Sequence, residues 1–247
     1  MKKILSVLAV AGLASSALAA PALTLNEGAS PAVFANGAGS GFGGTLGSGS
    51  ISMDVVGSNL VISFAAGGSL NDLVAIFLDT RSGGFTDADM NDNADGGRRA
   101  ISNLTRDIND NGPAGMGAAD FGLVIAGFGS VLFQLNAGST DGHLQFEIFN
   151  GTQNISIPLA LLGNPSQVDF YAAYVSDSGY SSNESLPASP GLQANGNPGF
   201  GNGEFGGVTP ASGEVDYTAF NRFVIPTPGA AALVGLGALV AGRRRRA

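Results

Sequence analysis

Between Asp79 and Asp120 the chain sets oxygen-bearing side chains at a spacing suited to a hard cation. In DTRSGGFTDADMNDNADGGRR, Asp87, Asp89, Asn91, Asn93 and Asp95 fall at every second position. In DINDNGPAG, Asp107, Asn109 and Asn111 repeat the rhythm before Gly112. Ca²⁺ gathers about six to eight oxygens, so alternate ligands on a tight loop make Ca²⁺ a candidate cofactor of this segment and no other cofactor is indicated. Neither run is an EF-hand. Asp92 and Arg98 stand at the sixth and twelfth positions of the first run, and Ala118 at the twelfth of the second, with Asp120 beyond it as a late ligand. The same residues also suit a solvated polar loop. Asp and Asn favour turns, and Arg81, Arg98, Arg99 and Arg106 are near enough in sequence to pair with carboxylates.

Other chemistries find less support. Glycoside hydrolysis needs two carboxyl groups about 5–9.5 Å apart. With nineteen acids some pair at that distance exists in any fold, so the spacing does not point to a hydrolase. There is no G-x-S-x-G, H-E-x-x-H, Walker loop or dinucleotide fingerprint. Zero cysteines exclude disulfides and thiolate chemistry, and the one histidine, His143, excludes multi-histidine metal centres. In DGHLQFEIF, His143 alternates with apolar residues and reads as the polar side of a strand.

The ends speak to location. MKKILSVLAVAGLASSALAA has Lys2 and Lys3, an apolar stretch from Ile4 to Leu13, and Ala17 and Ala19 in an A-x-A arrangement. A charged start, a short apolar run and a small-residue cleavage site make residues 1–19 a secretory signal peptide. At the other end VIPTPG leads into an uncharged run from Gly229 to Gly242 and then Arg243, Arg244, Arg245 and Arg246. As a helix that run covers roughly 21 Å at about 1.5 Å per residue, short of the ~30 Å hydrocarbon core. Pro226 and Pro228 favour a helix start near Pro228. The arginines would stay on the cytoplasmic side, which gives either a marginal transmembrane anchor or a tail that is removed after recognition.

Pro226, Thr227 and Pro228, the Gly/Ala/Leu-rich helix and the arginine cluster resemble the PEP-CTERM sorting domain, with Thr227 where Glu is usual. The resemblance covers residues 226–247. It implies an exosortase-type enzyme as partner, transient membrane anchoring through the C-terminal helix, and delivery to the cell surface or extracellular matrix. Removing both ends leaves five arginines against nineteen acids, a net charge near −14. Nucleic acid is therefore not an expected partner, because phosphate contacts need Lys and Arg.

Residues 20–225 must then form the body that positions the acidic loop, and their length suffices for one domain with its own core. Short Val-, Ile- and Phe-rich runs bounded by Gly, Asn, Asp and Ser predict an all-β domain. Strands are expected at Gly49–Val56, Asn59–Ala65, Leu73–Asp79, Phe121–Ala126, Ser130–Asn136, His143–Phe149, Asn154–Pro158, Val168–Val175 and Phe220–Ile225. Gly57-Ser58-Asn59 predicts a hairpin. LVAIFLDT and VDFYAAYVS are continuously apolar and should lie mid-sheet. Leu159–Gly163 suits a single turn, and Pro187–Gly206 reads as a long loop. Together these predict an antiparallel β-sandwich of jelly-roll type, flanked by a signal peptide and a C-terminal sorting helix.

The segments DLVAIFLDTRSGG, FGLVIAG, ISIPLALLG and VDFYAAYVSD resemble the strand order of CBM9-like and DOMON-like sandwiches. That resemblance implies carbohydrate binding and transfers no site residue. The expected function is a non-enzymatic exported surface or matrix protein acting in adhesion or biofilm matrix. A module recognising exopolysaccharide is the alternative, and a secreted Asp/Glu-dependent hydrolase the third.

Overall fold

The computed structural model of the chain describes residues 22–26, 31–84, 95–101, 113, 115–135, 145–176, 181–189 and 217–226. Their strands are β1 (Ala22–Asn26), β2 (Ala32–Phe34), β3 (Ser50–Val56), β4 (Asn59–Ala65), β5 (Leu73–Asp79), β6 (Phe121–Ala126), β7 (Gly129–Gln134), β8 (Gln145–Asn150), β9 (Asn154–Pro158), β10 (Gln167–Val175), β11 (Ser181–Leu186) and β12 (Ala219–Val224). One short helix, α1 (Gly96–Arg99), lies between β5 and β6. The protein is mostly β, as its period-two apolar runs predict.

The smaller sheet runs β2-β3-β4-β9 and is antiparallel throughout. Its strands alternate cleanly. Ile51, Met53, Leu60, Ile62, Phe64, Ile155 and Ile157 are buried, while Ser52, Asp54, Val61 and Ser63 between them are partly exposed. The expected hairpin joins β3 to β4, with Val56 opposite Asn59 and Gly57 at φ 62° in the left-handed region that glycine enters without strain.

The larger sheet runs β1-β12-β10-β5-β6-β7-β8, with β11 also pairing to β10. Every pairing is antiparallel except that of β1 with β12. One face contributes Val74, Ile76, Leu78, Leu123, Ile125, Leu132, Phe170 and Tyr174 to a core shared with the smaller sheet. Phe34 of β2 meets Phe170 of β10 edge-on at 4.9 Å, tying the two sheets together.

The opposite face of the large sheet is also covered. Leu73, Ala75, Phe77, Val124, Phe133, Tyr171 and Val175 pack with Ala100, Ile101, Met116, Ala119 and Tyr217, which come from outside the strands. Phe77 stacks on Tyr171 at 4.9 Å, and Tyr171 lies 4.6 Å from Tyr217. This second apolar layer is why β5 and β10 read as unbroken apolar runs: both of their faces are buried.

Three strands fall outside the expected set, which had no strand before Gly49. β2 is only three residues long, and β11 (SSNESL) is polar. β11 is held instead by pairing with β10 and by Glu184, whose fully buried carboxylate accepts four backbone N–H bonds. Phe42 and Gly44 donate to Oε1, both at 2.9 Å, and Leu46 and Gly47 donate to Oε2 at 2.8 and 3.2 Å. The glycine-rich stretch before β3 therefore wraps a carboxylate. A side chain at Gly39 would bring its Cβ within 2.1 Å of the Asn183 carbonyl oxygen, so the close approach requires glycine. Leu159–Gly163 forms the expected turn, with Leu161 N donating to the Pro158 carbonyl. Of the expected loop from Pro187, the described part runs to Ser189 and is packed, with Ala188 N donating to the Asn36 carbonyl.

Candidate functional site

The loop that the sequence marks as acidic leaves the sheet at Asp79 and re-enters at Asp120, side by side at one end of β5 and β6. Asp120 is buried and fixes the exit of the chain. Its Oδ2 accepts from Thr80 N at 2.8 Å, Thr80 Oγ1 at 3.0 Å and Arg81 N at 2.9 Å, and its Oδ1 from Arg81 Nε at 3.2 Å. Asp79 pairs in register with Asp169 of β10, which in turn faces Arg222 of β12. Arg222 grips Asp169 through Nε and Nη2, both at 2.6 Å, and this bond raises the arginine pKa.

Asp79 has a weaker partner, the Gly117 N–H at 2.7 Å. Burial pushes its pKa up to about 6; the Gly117 bond opposes this, and the nearby Asp120 and Asp169 charges add to it. These carboxylates close the base of the loop. Among the described residues no group of three or more His, Asp or Glu side chains is arranged to hold a metal ion.

Besides Asp120, whose carboxylate is taken up by Thr80 and Arg81, the one cation-ligand candidate within the described residues is Asp95; Asp87, Asp89, Asn91, Asn93, Asp107, Asn109 and Asn111 lie outside them. It opens α1 as an N-cap, accepting from Arg98 N at 2.9 Å, and its other oxygen pairs with Arg98 Nε at 3.2 Å. α1 rests on the outer face of β6, where a Cβ on Gly97 would stand 3.7 Å from Val124.

Between α1 and the β6–β7 turn runs a groove of about 400 Å³. Leu73, Val124, Val131 and Phe133 line it on the sheet side, Asp95, Gly96, Gly97 and Arg98 on the helix side, and Phe128 at the turn. The Arg98 guanidinium lies over the Phe133 ring, 5.3 Å from its centroid. Phe128 is 66% exposed, a large apolar ring at the tip of a tight turn. An apolar floor with a few placed polar groups is the usual make-up of a small-molecule site, and the volume falls within the ~300–1,000 Å³ of such sites. Phe128, Phe133 and Arg98 line this groove although the sequence by its spacing marks none of them as part of a site. The available signal was AGFGS, where an aromatic occupies a turn position that usually goes to Gly, Asn or Asp.

The residues of the terminal signals, Ala17, Ala19, Thr227, Pro228 and Arg243 to Arg246, lie outside the described residues, as does His143. Pro226 is described. It follows β12 directly, after Ile225 N donates to the Ser166 carbonyl at 2.9 Å. No helix of the described residues is long and apolar enough to cross a membrane. Comparison with protein families, curated proteins and solved structures finds no match.

Proposed function

We propose that this chain is a non-enzymatic exported protein, a jelly-roll-type β-sandwich carried to the cell surface or extracellular matrix, where it serves adhesion or matrix structure. Its signal peptide (residues 1–19) directs export. The PEP-CTERM-like segment (residues 226–247) holds it transiently in the membrane for an exosortase-type enzyme. The supporting observation is the seam at Pro226. Among the described residues the last backbone hydrogen bond along the chain runs from Ile225 N to the Ser166 carbonyl, one residue before the proline motif. Mass spectrometry of the surface-exposed protein should find a C-terminus near Pro226–Pro228, and Arg243 to Arg246 replaced by Ser should leave unprocessed protein. Intact chain ending at Ala247 in the surface pool overturns processing and leaves a plain anchor.

The groove favours a second reading, recognition of exopolysaccharide. The described buried carboxylates favour binding over hydrolysis, because Asp120, Asp169 and Glu184 are each spent on backbone N–H groups or an arginine. Ca²⁺ in the loop between β5 and β6 belongs to the same proposal, as a stabilising ion.

A further inference from the structure

The groove beside α1 has a chemistry that selects its ligand. Its floor is apolar, so a ligand must present an apolar face. Its polar groups are a carboxylate and a guanidinium already paired with each other, at 3.2 Å, so the lining adds no net charge. A purely hydrocarbon ligand would cover both ions without replacing their water, which is costly. The paired lining offers neither an anion nor a cation an unshared counter-charge, and a processed chain near −14 would repel an anion besides. What remains is a neutral ligand with an apolar face and a rim of groups that both donate and accept hydrogen bonds. A pyranose ring has that form, with C–H bonds on its face and hydroxyls at its edge.

The exposed Phe128 supplies the flat surface for such a ring, since the negative face of an aromatic attracts polarised C–H groups. Asp95 can accept from hydroxyls and Arg98 can donate to them. We infer that the groove between α1 and the β6–β7 turn is a binding site for a neutral saccharide, with Phe128 as its stacking surface and Asp95 and Arg98 as the hydroxyl-recognising pair. This rests on the exopolysaccharide reading above.

The topology gives the site an orientation. β12 ends beside the start of β10, the end of β5 and the start of β6, whereas the turn carrying Phe128 lies at the other end of β6. The Phe128 end of the groove therefore lies at the end of the large sheet opposite Pro226.

The test is calorimetric titration of the full exported chain with cellohexaose, isomaltohexaose and chitohexaose, alongside an oligogalacturonate as the charged comparison. At least one neutral hexasaccharide should bind. Phe128→Ala and Asp95→Asn should each weaken that binding about tenfold or more, with the melting temperature unchanged. Both variants suit the fold, because Phe128 is exposed and Asn caps helices about as well as Asp. Neutral binding that survives both substitutions overturns the groove while leaving the exopolysaccharide reading standing, as does binding of oligogalacturonate alone. Absence of binding to all four overturns both.

Discussion

Asp79 holds its carboxylate where the fold resists charge, and the consequence is a stability that depends on pH. Its folded pKa, about 6, lies above the ordinary 3.8, so the folded state binds this proton more tightly than the unfolded chain does. That contribution is complete below the unfolded value, declines as pH rises, and is gone once pH passes the folded value. Asp79→Asn keeps an oxygen for the Gly117 N–H and removes the titration. The variant should melt higher than the parent at pH 8, with the difference shrinking as pH falls through about 6 and vanishing only below 3.8. Parallel pH profiles for the two proteins would show that Asp79 is not the group responsible. Glu184 is held differently, its buried carboxyl group accepting from four backbone N–H donors. Glu184→Gln turns an amide donor toward two of them, and each buried group left unsatisfied costs about 1–3 kcal/mol. Urea unfolding should therefore register a loss of about 2 kcal/mol or more, and a loss under about 0.5 kcal/mol, the usual ceiling for surface changes, would contradict the proposed knot.

At the level of elements, the outer cover of the large sheet depends on close contact between α1's flank and β6. Ile101 sits over Gly122, where a Cβ would come within 2.6 Å of Ile101 Cγ2. Gly122→Ala should lift Ile101 from the sheet and cost about 1–3 kcal/mol, the usual range for overpacking. Hydrogen exchange should show amide protection lost around Arg98–Ile101 and retained in β5 and β10. Uniform loss across the sheet would mean that the cover and the sheet unfold as one unit. The nine expected strands were legible because each has its own apolar rhythm. β11 was not legible, since no property of SSNESL favours a strand. Its conformation comes from β10 beside it and from the glycine-rich loop that Glu184 gathers. Likewise Asp95 reads in the sequence as one of several alternating oxygens, and only the folded α1 shows it capping Arg98.

For the molecule as a whole, the dominant quantity is charge. With both ends removed, as proposed, the chain would carry a net charge near −14 and fold against its own repulsion, and a divalent cation bound between β5 and β6 would relieve part of it. Extracellular modules bind Ca²⁺ at about 10⁻⁴–10⁻³ M, so about 10 mM Ca²⁺ should raise the melting temperature over that in EDTA. Binding at ten times Kd corresponds to about 1.4 kcal/mol. Asp87→Ala with Asp89→Ala should abolish the rise if the first run holds the ion, and Asp107→Ala with Asn109→Ala if the second does. Identical melting curves in Ca²⁺ and EDTA would return the loop to a solvated connection. On the same scale, the Phe128 turn and Pro226 lie at opposite ends of the large sheet, an arrangement set by strand direction alone.

Local rhythm and composition carry the β class, nine strand positions, one hairpin turn, and the acidity of the β5–β6 connection. Alternation needs only neighbouring residues to be visible. The pairing of Asp79 with Asp169, the knot around Glu184, the second apolar layer and the groove were decided by tertiary structure. Each joins residues tens to more than a hundred positions apart. Phe128 and Arg98 are ordinary side chains until β6, β7 and α1 bring them to the walls of one groove, because a site is made by proximity and proximity is a property of the packed chain.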